Sequence, residues 1–356
     1  MANKIRFTLT EIVLIIVIIG LIIGIEINRG PKNNVKFLQE HLKTISTSAG
    51  KDLVVIFTSG SMYNTQGELL YFRDKILLSV LESKLKSEGY SIAILNTTCL
   101  AGNPNCIQEF ADLAKAIVEL DTKHIIYKGI DSGLAGEQFN LIIEDADIPL
   151  YTVGTPVNIN TRTYIGPDNE GLGRVAFEGL KDLIQQGESA IYLETVRISN
   201  NEVRDLASVK NDNGFERIDS IRSKMTQAGV REQKTLFTQW SESKTYSDLI
   251  EEMRVNGVPD YIIAPSTETA KGAVAAVELL GVEDSVKIVA LDYTVEVKNL
   301  IKKEKLYAGV SQSFIRQALY LVELINKNKE SSNKKRLFVG EFITLDKILE
   351  SNKTLW

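Results

Sequence analysis

The sequence predicts an α/β protein of two doubly wound parallel-sheet lobes with an N-terminal transmembrane helix. Three observations carry this expectation. Short β-branched runs alternate with amphipathic helical stretches about ten times between residues 51 and 346. The alternation falls into two similar halves joined by TPVNINTRTYIGP (155–167), which has no helical period and carries two prolines. Residues 12–25, IVLIIVIIGLIIGI, are apolar or glycine throughout.

Taken in order, residues 28–50 read as a polar spacer with a weak helical stripe at Val35, Leu38 and Leu42. LVVIF (53–57) is a buried strand. Residues 68–88 form a helix with Leu70, Ile76, Leu77, Val80, Leu81 and Leu85 on one side. SIAIL (91–95), helix 107–120, HIIY (124–127), helix 136–145 and PLYTV (149–153) complete the first half. The second half runs from helix 170–186 to strand 190–194, helix 214–228, strand 235–238, helix 244–256 and strand 261–264. It continues with helix 268–280, strand 286–291, helix 294–304, strand 307–311, helix 314–328 and strand 336–345. Strands separated by helices imply parallel sheets covered on both faces. In such sheets ligands bind beyond the carboxyl ends of the strands.

The apolar run decides the compartment. Residues 7–27 are long enough, at about 1.5 Å per residue, to approach a hydrocarbon core of about 30 Å. Ile25, Glu26, Ile27, Asn28 and Arg29 lack the small residues of a cleavage site, so the expectation is an uncleaved anchor rather than a removed signal. No cysteine follows the run, which excludes a lipoprotein. Lys4 and Arg6 before it and Arg29, Lys32 and Lys36 after it leave the positive-inside rule nearly silent. Phe7-Thr8-Leu9-Thr10-Glu11 resembles the start of a pilin, but Arg6 stands where pilin processing needs a small residue.

Composition narrows the function. A net charge of −5 and a pI near 5.4 argue against nucleic-acid binding. His41 and His124 are too far apart in sequence to form a spaced ligand pair, so no metal and no cofactor is expected. Cys99 and Cys106 have six residues between them, which is not a CxxC spacing. They either close a small loop or remain reduced thiols. No P-loop or GxSxG is present, and nothing assembles a nucleophile with a base, so the chain is not read as an enzyme. Gly171, Gly173 and Ala176 fit GxGxxA, with Glu194 ending a strand 23 residues after Gly171. The stretch before these glycines is polar and interrupted by Pro167, and the glycines fall inside a helix, so a dinucleotide site is rejected.

Four segments resemble a known family. IPLYTVGTPVN (148–158), YIGPDNEGLGRVAFEGL (164–180), YIIAPSTETAKGAVAAVELLG (261–281) and KIVALDYTVEVKNLIKKEKLYAGVSQ (287–312) are similar, in order and spacing, to segments of the sugar-binding type I periplasmic binding proteins. These are relatives of the ligand domains of LacI-type repressors. The resemblance covers roughly 51–346. It implies three crossings between lobes, placing them at 51–163 plus 313–338 and 164–312 plus 339–350.

The resemblance also implies the site. Asp292 matches an aspartate that hydrogen-bonds sugar hydroxyls, and Gln312 a hinge glutamine. A carboxylate accepts from two hydroxyls, and an amide both donates and accepts. Trp240 falls where an aromatic packs on a sugar's C–H face. Ser266 and Thr267 replace an Asn-Asp pair, and Asn211 replaces a common arginine. Lys128 ends a strand where ribose binders carry asparagine, and Arg73 aligns with an arginine of xylose-type binders. Each has a plainer role open to it: a helix cap for Asp292, Ser266 and Thr267, a hinge contact for Gln312, core packing for Trp240, and solvated cations for Lys128 and Arg73. Gly154-Thr155 stands where the family has Asp-Arg. Three charged contacts of the family are therefore absent, which leaves the sugar open.

The expected function is a membrane-anchored, extracytoplasmic receptor for a monosaccharide, a pentose such as xylose being favoured. Its partner would be a membrane histidine kinase, because an uncleaved peptide anchor keeps the body beside a fixed neighbour. The alternative is the receptor of a sugar ABC transporter, with a permease as partner. A repressor is disfavoured, since the apolar run stands where a helix-turn-helix would be.

Overall fold

In the computed structural model the described residues are 42–46, 52–59, 72–97, 104–128, 134–154, 163–194, 213–327 and 335–353. Its elements in chain order begin with β1 (Leu42–Ser46), β2 (Leu53–Ser59), α1 (Phe72–Ser87), β3 (Ser91–Thr97), α2 (Ile107–Glu119), β4 (Thr122–Lys128), α3 (Leu134–Asp145), β5 (Leu150–Val153) and β6 (Thr163–Pro167). They continue with α4 (Asn169–Leu180), β7 (Ser189–Glu194), α5 (Asn213–Gln227), β8 (Arg231–Phe237), α6 (Glu242–Asn256), β9 (Tyr261–Ala264), α7 (Thr267–Leu280) and β10 (Lys287–Ala290). The last are α8 (Val295–Lys302), β11 (Ala308–Val310), α9 (Phe314–Lys327), β12 (Lys335–Phe338), β13 (Phe342–Thr344) and α10 (Leu345–Lys353).

The chain divides into two compact units, Met1–Gly166 with Phe314–Arg336, and Pro167–Ser313 with Leu337–Trp356. It passes from one to the other within β6, after Ser313, and within β12. One sheet has the order β1-β3-β2-β4-β5-β6-β12 and the other β13-β11-β10-β9-β7-β8. Strands β2 to β6 pair in parallel, as do β7 to β11, and the edge strands β1 and β13 are antiparallel to their neighbours. The doubly wound architecture in two sheets is thus as the sequence predicts.

Strand alternation builds the cores. Val55, Phe57, Ala93, Leu95, Ile125 and Tyr127 point to one face of the first sheet and pack on Phe110, Leu113 and Ile117 of α2 and Phe139 and Ile143 of α3. In the second unit, Ile191, Ile262 and Ile288 face α6, α7 and α8, whereas Tyr192, Ile263 and Val289 face α4 and α5. Both faces of each β-branched strand are therefore apolar, which is the signature of a covered parallel sheet.

Three local departures have physical reasons. Leu42–Ser46, assigned to the spacer, is an edge strand, because the β-branched Thr44 and Ile45 pair with β3. Thr163–Pro167, taken as polar connection, is a fully buried strand. Its backbone is paired in parallel with β5, which supplies the ladder. Residues 336–345, read as one strand, are two strands in different sheets. The break falls at Gly340, where a Cβ would lie 1.6 Å from the Ser311 carbonyl oxygen. Among the described residues no helix is long and apolar enough to cross a membrane, and the expected span 7–27 lies outside them.

Candidate ligand site

The carboxyl ends of β9, β10 and β11 lie side by side in the second unit, because these strands are adjacent and parallel. Just beyond them come Pro265 to Thr267, Asp292 and Gln312. Beyond β6 comes Asn169, the first residue of α4, and α5 adds Arg217. These residues form one buried polar cluster.

Arg217, 3 % exposed, is its only cation among the described residues. Its Nε donates to Asn169 Oδ1 at 2.9 Å, Nη1 to the Pro265 carbonyl at 3.1 Å and Nη2 to Gln312 Oε1 at 3.2 Å. Gln312 Nε2 donates to Asp292 Oδ1 at 3.1 Å. The Tyr293 backbone N–H donates to the same oxygen at 3.0 Å. Thr267 Oγ1 donates to Asp292 Oδ2 at 3.1 Å and lies 3.1 Å from Thr294 Oγ1. Asn169 Nδ2 completes the chain by donating to Glu216 Oε2 at 3.1 Å.

Each amide orientation follows from its neighbours. Gln312 must turn its oxygen to a guanidinium, which only donates, and its nitrogen to a carboxylate, which only accepts. Asn169 is fixed in the same way between Arg217 and Glu216. The buried charges are compensated: Asp292 is bridged to Arg217 through one amide, and it lies beside the first residue of α7 and the cap of α8, where backbone N–H groups favour an anion. A cluster of oriented acceptors and donors with its charges internally paired suits a neutral hydroxylated ligand better than an ionic one.

The predicted residues fare differently. Asp292, Gln312 and Thr267 are brought together. Asp292 is not the helix cap, since Thr294 caps α8 and accepts from Val297 N–H. Gln312 precedes by one residue the point where the chain leaves the unit. Ser266 is the N-cap of α7 in a capping box with Thr269, so its hydroxyl is engaged within the helix start. Trp240 is 38 % exposed in the turn after β8, not packed in a core. Strand β8 is the edge strand, three places from β10, or about 14 Å along the sheet. Lys128 is buried at the end of β4 in the other unit, its Cε 3.1 Å from where a Cβ on Gly154 would stand. Arg73 lies in α1, with its side chain outside the described residues, as is all of Asn211.

Arg217 escaped the sequence reading. The signal was available: Arg217 shares one helical face with Ile221 and Met225, both fully buried. An arginine on an apolar stripe must meet buried acceptors. The glycine motif is also explained. Strand β6 before it is buried, contrary to the reading, yet Gly171 and Gly173 do lie inside α4 behind the N-cap Asp168. A Cβ on Gly173 would lie 2.5 Å from the Arg217 carbonyl oxygen, so this glycine lets α4 approach α5. Glu194 is an ion-pair partner of Arg222. Cys106 is disulfide-bonded, and the sequence holds one other cysteine, Cys99, outside the described residues.

Two covered parallel sheets with a polar cluster at the strand ends define a binding protein of the two-lobed kind. Residues 83–331, more than half of the chain, match the periplasmic binding protein domain family, and the chain belongs to that family. Its members are binding proteins rather than enzymes. No curated protein sequence matches the chain. Among solved structures, it is similar to a periplasmic ribose ABC transporter protein from Conexibacter woesei, with TM-score 0.70 and 13 % identity over 86 % of this chain and 97 % of that one. An ABC transporter solute binding protein from Actinobacillus succinogenes with bound D-allose is similar with TM-score 0.66 and 16 % identity, covering 85 % and 100 % of the two chains. A chain of a XylFII–LytSN complex is similar with TM-score 0.62 and 18 % identity, covering 83 % and 99 %.

Proposed function

We propose that the protein is a membrane-anchored, extracytoplasmic receptor for a neutral monosaccharide, with a pentose such as D-xylose favoured, and that it serves as the ligand-sensing partner of a membrane histidine kinase. The observation that carries the sugar reading is the Asp292–Gln312–Thr267 cluster beyond adjacent parallel strands, with Arg217 balancing the carboxylate. Similar structures are solute binding proteins with bound D-allose and myo-inositol and a periplasmic ribose transporter protein, and these three compounds are all neutral and hydroxylated. The sensor reading rests on the apolar run 7–27, read as an anchor because it lacks cleavage-site residues and an adjoining lipid cysteine, and on the XylFII–LytSN complex as an example of this fold joined to a second protein. The disulfide at Cys106 agrees with an oxidising compartment.

The test is thermal unfolding of the full-length protein in detergent with D-xylose, D-ribose, D-allose and myo-inositol. A ligand at 100 times its Kd stabilises by about 2.7 kcal/mol. No shift with any of the four sinks the sugar reading. A second reading, the receptor of a sugar ABC transporter, is favoured by the likeness to ABC transporter proteins. Deleting residues 1–27 separates the two. Loss of sugar-dependent induction with uptake intact supports the sensor, and normal induction by the secreted body supports the transporter.

A further inference from the structure

Resting on the sugar reading of the Asp292 cluster, we propose that Arg217 is the positioning residue of that site, fixing the Gln312 amide, and through it Asp292, in the orientation that receives the ligand. Gln312 by itself has two amide orientations of similar shape. Only one turns Nε2 to Asp292, and the other would set oxygen against oxygen. Asp292 Oδ1 favours this orientation from one side, and Arg217 Nη2 locks it from the other by requiring an acceptor where Oε1 stands. Arg217 is in turn held at three points of its planar fork, by Asn169, Pro265 and Gln312. Asn169 is anchored by Glu216, so the orientation is set from outside the ligand-facing residues. The guanidinium comes from α5, whereas Asp292 and Gln312 follow β10 and β11, so one side chain couples the helix layer to the strand ends.

The arrangement also accounts for chemistry this chain needs. Among the described residues, Asp292 accepts two bonds at Oδ1 and one at Oδ2, and its donors are a backbone N–H, Gln312 and Thr267. A carboxylate oxygen commonly accepts two bonds, so the less occupied Oδ2 is the oxygen that offers capacity to a sugar hydroxyl. Releasing Gln312 would redirect Oδ1 and alter which oxygen the ligand meets. Lysine cannot replace the fork, because an ammonium is a point charge and not a planar set of donors.

The test uses full-length protein in detergent and two readouts. The first needs no ligand. The side-chain amide protons of Gln312, assigned by their loss in Gln312→Ala, are followed by NMR exchange. They are expected to exchange slowly in the wild type and fast in Arg217→Met and in Arg217→Lys. Unchanged exchange in both variants overturns the proposal. Should Arg217→Met fail to fold, Arg217→Lys and Arg217→Gln serve in its place.

The second readout is a double-mutant cycle on affinity for D-xylose, D-ribose, D-allose and myo-inositol. Arg217→Met should weaken binding by about tenfold or more in the wild-type background, but by less than about threefold once Gln312 is alanine. Equal losses in both backgrounds overturn the proposal, because Arg217 would then act independently of Gln312. If the wild type binds none of the four sugars, the sugar reading fails by itself, and the amide exchange still decides whether Arg217 positions Gln312.

Discussion

Gln312 Nε2 donates to Asp292 Oδ1 at 3.1 Å across the ends of two neighbouring parallel strands. This bond joins a residue at a chain crossing between the units to a buried carboxylate that the same amide bridges to Arg217. The polar cluster and the connection between the units therefore share one side chain.

Asp292→Ala should weaken sugar binding by about 2–3 kcal/mol, since charge-assisted bonds to ligand hydroxyls are lost. It should also lower folding stability by about 1–3 kcal/mol, because Gln312 and Thr267 lose their acceptor in a buried site. Calorimetric titration and denaturant unfolding read the two effects. Full affinity in a folded Asp292→Ala protein excludes the carboxylate from the site.

Gly173→Ala should destabilise by about 1–3 kcal/mol through overpacking. The added Cβ meets backbone at Arg217 and Ile221, at 2.5 and 2.9 Å, and Ser220 Cβ at 2.7 Å, none of which is a flexible side-chain end. Because the obstruction pushes on the turn of α5 that carries Arg217, sugar affinity should fall with stability. Gly179→Ala serves as control, because its Cβ meets the Phe342 ring and not α5.

Trp240 and the preceding Gln239 both hold positive φ, 60° and 53°. A bulky residue there stores backbone strain of order 1–3 kcal/mol. Trp240→Gly should therefore be more stable than Trp240→Ala in thermal unfolding, in the reverse of the usual order. If both variants keep wild-type sugar affinity, the ring has no ligand contact.

Tyr192 is fully buried, and its hydroxyl has no hydrogen-bond partner among the described residues. Burial pushes its phenol above the usual range, with the Arg222 cation opposing. Tyr261 is raised in the same direction by burial first and by its bond to Glu188 second. A raised folded-state value means the neutral phenol stabilises the fold. That contribution is complete below about pH 10 and is lost as pH rises above it. Tyr192→Phe should cost little at pH 7 and should remove about 1.4 kcal/mol per pH unit from the alkaline slope of stability. An unchanged slope above pH 10 contradicts this.

The legibility of the molecule divides along physical lines. The alternation of LVVIF, SIAIL and HIIY with amphipathic stretches was enough to state two parallel sheets, because burial on both faces demands continuous apolar runs. Asp292, Gln312 and Thr267 were legible as candidates because the family resemblance marks those positions, each of which follows a recognisable strand. Strand β6 was missed because its neighbour, not its own composition, buries it. The strands β12 and β13 were merged because nothing local shows that a chain changes sheets.

The sequence by itself determined the class of fold, the order of its elements and the residues that stand at the strand ends, since periodicity is a local property. Only the tertiary structure decided what those residues do. It made Ser266 a cap, set Trp240 on an edge turn and brought Arg217 to Gln312 across 95 positions of chain. The physical reason is that a buried guanidinium is tolerable only where acceptors from several distant segments converge, and that convergence exists only after the sheets and helices have packed.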